Sequence, residues 1–224
     1  MIGIDKLVLT SRDYSVSDAS PAYFSIDKTI RQGSKNEELP HLLTDARGRQ
    51  INAHKIYHNS TEGSYTINQY GLNITFNPDK LINPYLLSDI GGTGFTRAVE
   101  TIDAQMRKIG ISANLNEMKL SRVDLAKQAE MIHPSFTYSP AFKLFSAKRK
   151  MKQRNYLETH TIGNTQHQVC FYDKEAELNS LGLKYVMQGE KNLMRAEIRF
   201  LKTNSTQRNL EVKTLGELHK ISSA

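Results

Sequence analysis

The sequence predicts an α+β fold, a largely antiparallel central sheet with flanking helices. Three observations carry this. Branched and aromatic residues alternate with polar ones in many short runs, several runs lie close enough together to form hairpins, and helical periodicity appears only in isolated stretches. A doubly wound parallel sheet would need a helix between successive strands, and the chain lacks that rhythm.

The elements follow in order. Ile2 to Leu9 is rich in branched side chains and alternates loosely, as a half-buried strand does. Ser11 to Gln50 is polar, with a short strand near Tyr23 to Ile26 set in loop. Ile51 to His58 and Ser64 to Phe76 are strand-like, and Tyr70-Gly71 divides the second run in two. Phe95, Ala98, Val99, Ile102, Met106 and Ile109 recur at helical spacing, and Gly110 stands where a glycine ends a helix. The preceding Gly91-Gly92-Thr93-Gly94 is expected to be a flexible loop, since no Walker lysine or dinucleotide spacing frames it. A strand over Met118 to Ala126 comes next, then a short helix over Pro140 to Ala147. Strands at Tyr156 to Ile162, His167 to Tyr172 and Asn192 to Leu201 complete the sheet, with a helix from about Lys174 to Leu181. Residues 1–204 are expected to form one domain. The polar tail 205–224, weakly helical around Thr214 to Ile221, is expected to be a linker or the start of a further segment.

The 224 residues carry 30 Lys and Arg against 23 Asp and Glu, a formal charge of +7 that suits a polyanionic partner. No apolar run approaches the roughly 18 residues that cross a bilayer, no cleavable signal is visible, and the chain is expected to be cytoplasmic with no membrane partner. Its one cysteine, Cys170, excludes an internal disulfide framework and a thiolate zinc cluster, and its apolar strand suits buried packing.

Three segments place acids in or beside apolar strands: Ser121-Arg122-Val123-Asp124-Leu125-Ala126, Phe171-Tyr172-Asp173-Lys174-Glu175-Ala176-Glu177, and Met194-Arg195-Ala196-Glu197-Ile198-Arg199-Phe200. A buried carboxylate must neutralise, pair or bind a metal. Arginines two residues away share the strand face of Asp124 and of Glu197, so ordinary ion pairs on a solvated sheet are one reading. The other places Asp124, Glu197 and one of Glu175 or Glu177 around a hard divalent cation such as magnesium, which takes oxygen ligands. Tyr172 is a sheet aromatic in the plain reading. Followed by Lys174 at the spacing of one strand face, it has what a tyrosine needs to attack a phosphodiester, because a phenol with a pKa of about 10 must be activated by a neighbouring cation, base or metal. His133, His160 and His167 are scattered and form no metal-binding pair. The cluster Lys148, Arg149, Lys150, Lys152 and Arg154, near Tyr156, is either a solvated face or a track for a nucleic-acid backbone.

In this order, Ile4-Asp5-Lys6-Leu7-Val8-Leu9, Phe76-Asn77-Pro78-Asp79-Lys80-Leu81-Ile82-Asn83, Ser121-Arg122-Val123-Asp124, Cys170-Phe171-Tyr172-Asp173-Lys174-Glu175-Ala176-Glu177-Leu178 and Arg195-Ala196-Glu197-Ile198-Arg199-Phe200 resemble the replication initiators of filamentous phages, the gene II and gene X type, and less closely the plasmid initiators of the Rep_trans group. The resemblance implies a modified HUH-like, Rep_trans-like nuclease domain. It would nick one strand of a replication origin, stay joined to the 5′ phosphate through tyrosine, and release a 3′ hydroxyl that primes rolling-circle synthesis. It implies Tyr172 as nucleophile with Lys174 beside it, Asp124, Glu197 and Glu177 around Mg²⁺ or Mn²⁺, and single-stranded or locally melted origin DNA as partner. Host helicase and polymerase and a homodimer are further expected partners, in the cytoplasm of a bacterial host. The competing readings are a DNA-binding replication regulator of the same fold that does not cut, and a structural protein whose basic charge is incidental.

Overall fold

The computed structural model describes residues 3–17, 23–27, 55–68, 70–83, 91–144, 151–156, 158–183 and 191–222. Among them, ten strands form one sheet: β1 (Gly3–Ser11), β3 (Ser25–Asp27), β4 (Lys55–Asn59), β5 (Ser64–Asn68), β6 (Gly71–Phe76), β8 (Lys119–Glu130), β9 (Lys152–Asn155), β10 (Thr159–Gly163), β11 (His167–Asp173) and β12 (Leu193–Phe200). The sheet order is β3-β4-β5-β6-β1-β8-β12-β11-β10-β9, and every pair is antiparallel. A separate two-stranded ribbon pairs β2 (Ser15–Val16) with β7 (Ile111–Ser112). The fold class is α+β, as the strand runs and isolated helices predict.

The helices are α1 (Pro78–Ile82), α2 (Gly91–Lys108), α3 (Ser139–Lys143), α4 (Lys174–Ser180), α5 (Thr203–Leu210) and α6 (Leu215–Ser222). Phe95, Ile102 and Met106 of α2 pack with Leu215 and Leu218 of α6 against Leu7, Leu9, Leu72, Ile74, Leu120 and Val123 of the sheet. Each of these sheet residues is fully buried, and the strand alternation sends their polar neighbours to the opposite face. Further along the core face, Phe142 of α3 stacks on Phe171 at 4.7 Å. α4 packs Leu178 against Leu193, on the other face.

Two expectations change. Gly91 to Gly94 are the first turn of α2 rather than a loop before it; Gly94 is buried beside Phe95, where a small residue suits close packing. Residues 205–220 are packed body rather than linker, since Val212, Leu215 and Leu218 belong to the main core and Ser205 and Thr206 are buried. Gly110 does end α2, at φ +77, the left-handed geometry that favours glycine. The strand expected over Tyr156 to Ile162 is β10, which begins at Thr159, and β9, in the basic run before it, is a further strand paired with it. The N-terminal part of the Ile51 to His58 strand and the C-terminal part of the Pro140 to Ala147 helix lie outside the described residues. No helix among the described residues is long and apolar enough to cross a membrane.

At the β10–β11 turn a side chain is excluded by backbone. A Cβ on Gly163 would lie 2.4 Å from the His167 carbonyl oxygen and 2.6 Å from Gln168 Cα. Gly163→Ala is expected to destabilise the fold by about 1–3 kcal/mol, the cost of overpacking, read as a lower urea midpoint with an unchanged slope.

Candidate active site

Cross-strand register builds the polar face. Residues directly opposite one another in a sheet share a face, so each rung across β8, β12, β11, β10 and β9 is a row of neighbouring side chains. One rung runs Asp124, Arg199, Gln168, Gly163, Lys152. The next runs Ala126, Glu197, Cys170, Thr161, Arg154. A third runs Gln128, Arg195, Tyr172, Thr159. Tyr172, Glu197, Arg195, Arg199 and Asp124 therefore meet on the face opposite the helical core.

The Tyr172 hydroxyl donates to Glu197 Oε1 at 2.8 Å. Glu197 is 3% exposed, and its Oε2 accepts from Arg199 Nε at 2.8 Å and Nη2 at 2.6 Å, while Arg195 Nε reaches Oε1 at 3.3 Å. Asp124, 2% exposed, is gripped in the same fork-like way by Arg122, at 2.8 and 2.6 Å. Both arginines reach solvent, with side chains 28% exposed, whereas the acids do not. The pairs of the plain reading exist, but on buried acids under half-exposed guanidiniums instead of on a solvated surface.

Arg195 is itself buried, and its Nη2 donates to Asp5 Oδ1 at 2.6 Å. Asp5 stands at a register shift of β1, where Ile4 pairs with Leu125 and Lys6 with the adjacent Asp124. That bulge turns the extra residue toward Arg195. Asn77, which also caps α1, donates to the same Asp5 oxygen at 3.1 Å. Asp79 of α1 adds negative charge near Arg195. Asp5 and Asp79 carry no assignment from spacing; the one local signal was an acid set in the apolar run Ile4 to Leu9.

These charges set the proton affinities. Burial raises the Tyr172 phenol far above its usual range, and the Glu197 carboxylate raises it further, against a smaller opposing effect of Arg195. Burial alone would also raise Glu197, but the Arg199 guanidinium, the Tyr172 and Arg199 hydrogen bonds and Arg195 hold it below the ordinary carboxylate range. Asp5 moves the other way, since burial outweighs the pull of Arg195. The tyrosine is thus neutral and the glutamate ionised.

The remaining expected residues divide. Lys174 follows Tyr172 not as a strand residue but as the first residue of α4, capped by Asp173, and it is buried with Nζ 2.7 Å from Glu177 Oε2. Glu177 lies close enough to raise the Tyr172 phenol. Glu175 instead accepts from the Asn192 backbone at 3.0 Å, tying α4 to the start of β12. Ser135 binds the second oxygen of Asp173. His160 is buried on the opposite face beside Phe142, and neither His133 nor His167 joins the site. Cys170 is buried at the floor, as expected, with its thiol pushed up by burial. Lys152 and Arg154 lie on β9, and Lys148, Arg149 and Lys150 fall outside the described residues.

The donor set as arranged does not fit a three-acid cation site. Asp124 is held by Arg122, both oxygens of Glu197 by Tyr172 and two arginines, and Glu177 by Lys174. Among the described residues no group of three His, Cys, Asp or Glu is placed to hold a metal. A divalent cation would enter only in exchange for one of these guanidinium or ammonium groups.

No protein-family model matches the chain, and no curated protein matches it. Among solved structures it is similar to the rolling circle replication initiator protein from Geobacillus stearothermophilus, at 12% sequence identity and a TM-score of 0.43, over 99% of this chain and 78% of that chain.

Proposed function

We propose that this chain nicks and rejoins single-stranded DNA through Tyr172, as an initiator of rolling-circle replication of the gene II and gene X type that its motifs resemble. The observation that supports this reading is the hydrogen bond from the Tyr172 hydroxyl to buried, ionised Glu197, flanked by two arginines on one sheet face. A tyrosine, a base and fixed positive charge are what phosphoryl transfer to a phenol requires.

Tyr172 Oη attacks phosphorus in line, its proton passes to Glu197, the phosphorus–O3′ bond breaks, and the departing 3′ oxygen takes that proton from Glu197. The products are a 5′-phosphotyrosine and a free 3′ hydroxyl. Because the bond energy stays in the phosphotyrosine, the reverse step rejoins the strand without ATP. Arg195 and Arg199 balance charge on the phosphoryl oxygens.

In the resting site the proton does not move. Even the ordinary values of tyrosine and glutamate lie about 6 pH units apart, roughly 8 kcal/mol against transfer, and the site widens that gap. A phosphate that draws half-exposed Arg199 toward itself removes the main charge holding Glu197 down and makes it a stronger base. Substrate binding and activation are then one event.

Origin-derived single-stranded oligonucleotides, incubated with the protein in EDTA, Mg²⁺ or Mn²⁺, are expected to yield a covalent protein–DNA species on denaturing gels. Tight binding with no such species in any of the three would favour a non-cutting regulator. Glu197→Gln keeps the shape but not the charge, and is expected to slow adduct formation by about 10²–10⁴-fold. It is also expected to flatten the acid side of the stability profile. A carboxyl held low in the folded state contributes stability above its unfolded pKa and loses it as pH falls through the folded value, and glutamine has no such limb. Urea unfolding at neutral and acidic pH reads the difference.

A further inference from the structure

On the same polar face, toward the β10–β11 turn, a cavity of about 650 Å³ opens over β9 to β12. Lys152, Arg154 and Arg199 line it, and no carboxylate does among the described residues. Its floor is low because Gly163 stands in the rung between Lys152 and Arg199, with Thr161 beside Arg154 in the next rung. Gln168 adds an amide beside Arg199, and Tyr156, 63% exposed, stands at the far rim.

We infer that this trough is the path of the DNA strand, with Lys152, Arg154, Gln168 and Arg199 on its phosphates and Tyr156 stacked on a base. The inference rests on the nicking reading and assigns the substrate's route to that site. The rung from Lys152 to Arg199 crosses three strand spacings, about 14 Å. That accommodates about four nucleotides of a stacked strand at 3.4 Å each. A small phosphate ester would need one such contact, not a row of them. The direction is set by Arg199, which lines the trough and also holds Glu197, the partner of the Tyr172 hydroxyl. Positive charge on both walls, an open aromatic at the rim and a floor of small residues suit a single strand whose bases are free to stack.

The test is binding of fluorescent oligothymidylate to the full chain across a salt series. Lys152→Glu with Arg154→Glu is expected to weaken binding at least tenfold and to lower the log–log salt slope by about 1.4, two phosphate contacts at about 0.7 each. Tyr156→Ala is expected to weaken it about tenfold, and 5-iodouracil in the oligonucleotide should photocrosslink to Tyr156. Lys108→Glu with Lys202→Glu, the same charge change on exposed residues outside the trough, should leave affinity within about twofold. Equal weakening by both doubles, or wild-type affinity and slope in the trough double, overturns the inference. The two readings fail separately: a Tyr172 adduct formed at wild-type rate by the trough double removes the trough and spares the chemistry. Trough-dependent binding with no adduct on any oligonucleotide does the reverse.

Discussion

Tyr172→Phe is expected to abolish the covalent protein–DNA species on every substrate that yields one with the wild-type chain, while the protein stays folded. The substitution removes one oxygen. Its loss leaves Glu197 with Arg195 and Arg199 as partners, so no buried charge is stranded, and the stability cost is that of one hydrogen bond, about 1 kcal/mol. Three other tyrosines stand in different settings. Tyr65 and Tyr14 are buried in the hydrophobic core, and Tyr156 stands at the exposed rim of the trough. Noncovalent oligonucleotide affinity should change by less than about twofold, because the phenol is not among the trough's cations. Adduct formed by the Tyr172→Phe variant at wild-type rate would place the nucleophile elsewhere.

Arg195→Ala is expected to be the most destabilising single change in the site, by about 3–5 kcal/mol, the usual consequence of removing one member of a buried ion cluster. Arg195 is 2% exposed and bridges Asp5 on β1 to Glu197 on β12, segments 190 residues apart in sequence. Without it the buried carboxylate of Glu197 and the part-buried one of Asp5 face each other, and Asp5, already raised by desolvation, takes up a proton. Arg195→Lys keeps the charge but not the fork that spans both acids, and should recover only part of the loss. Combining Arg195→Ala with Asp5→Asn should restore stability relative to the single change, with a coupling above about 1 kcal/mol in a double-mutant cycle. Additive effects would mean that the 2.6 Å pair contributes nothing to the fold.

Much of this site is legible in sequence because strand periodicity is exact at two residues. Arg122 with Asp124, and Arg195 with Glu197 and Arg199, had to share faces once those segments were strands, and Tyr172 had to lie on the same face as Cys170. The helix start after Tyr172 is also local, since Asp173 caps it and Glu175 and Glu177 fill its first turn. That start is what takes Lys174 off the strand and into its pair with Glu177.

What stays hidden is non-local. Nothing in the first strand announces that β1 will lie beside β8, or that a bulge will turn Asp5 toward an arginine near the other end of the chain. Whether an acid meets a metal or a guanidinium depends on which strands become neighbours, so Asp124, Glu197 and Glu177 could be named without their partners being known. The polar run Thr203 to Leu210 gives little helical periodicity, and its helix is held by Ser205 and Thr206 buried against β8. The trough needs four strands in register before its two cationic walls face each other.

The most direct test of the central claim is peptide mapping of the protein–DNA species by mass spectrometry after nuclease trimming. A 5′-nucleotide phosphate is expected on the peptide containing Tyr172, with the fragment ions placing it on that residue. A nucleotide found on any other tyrosine, or on a serine, would contradict it.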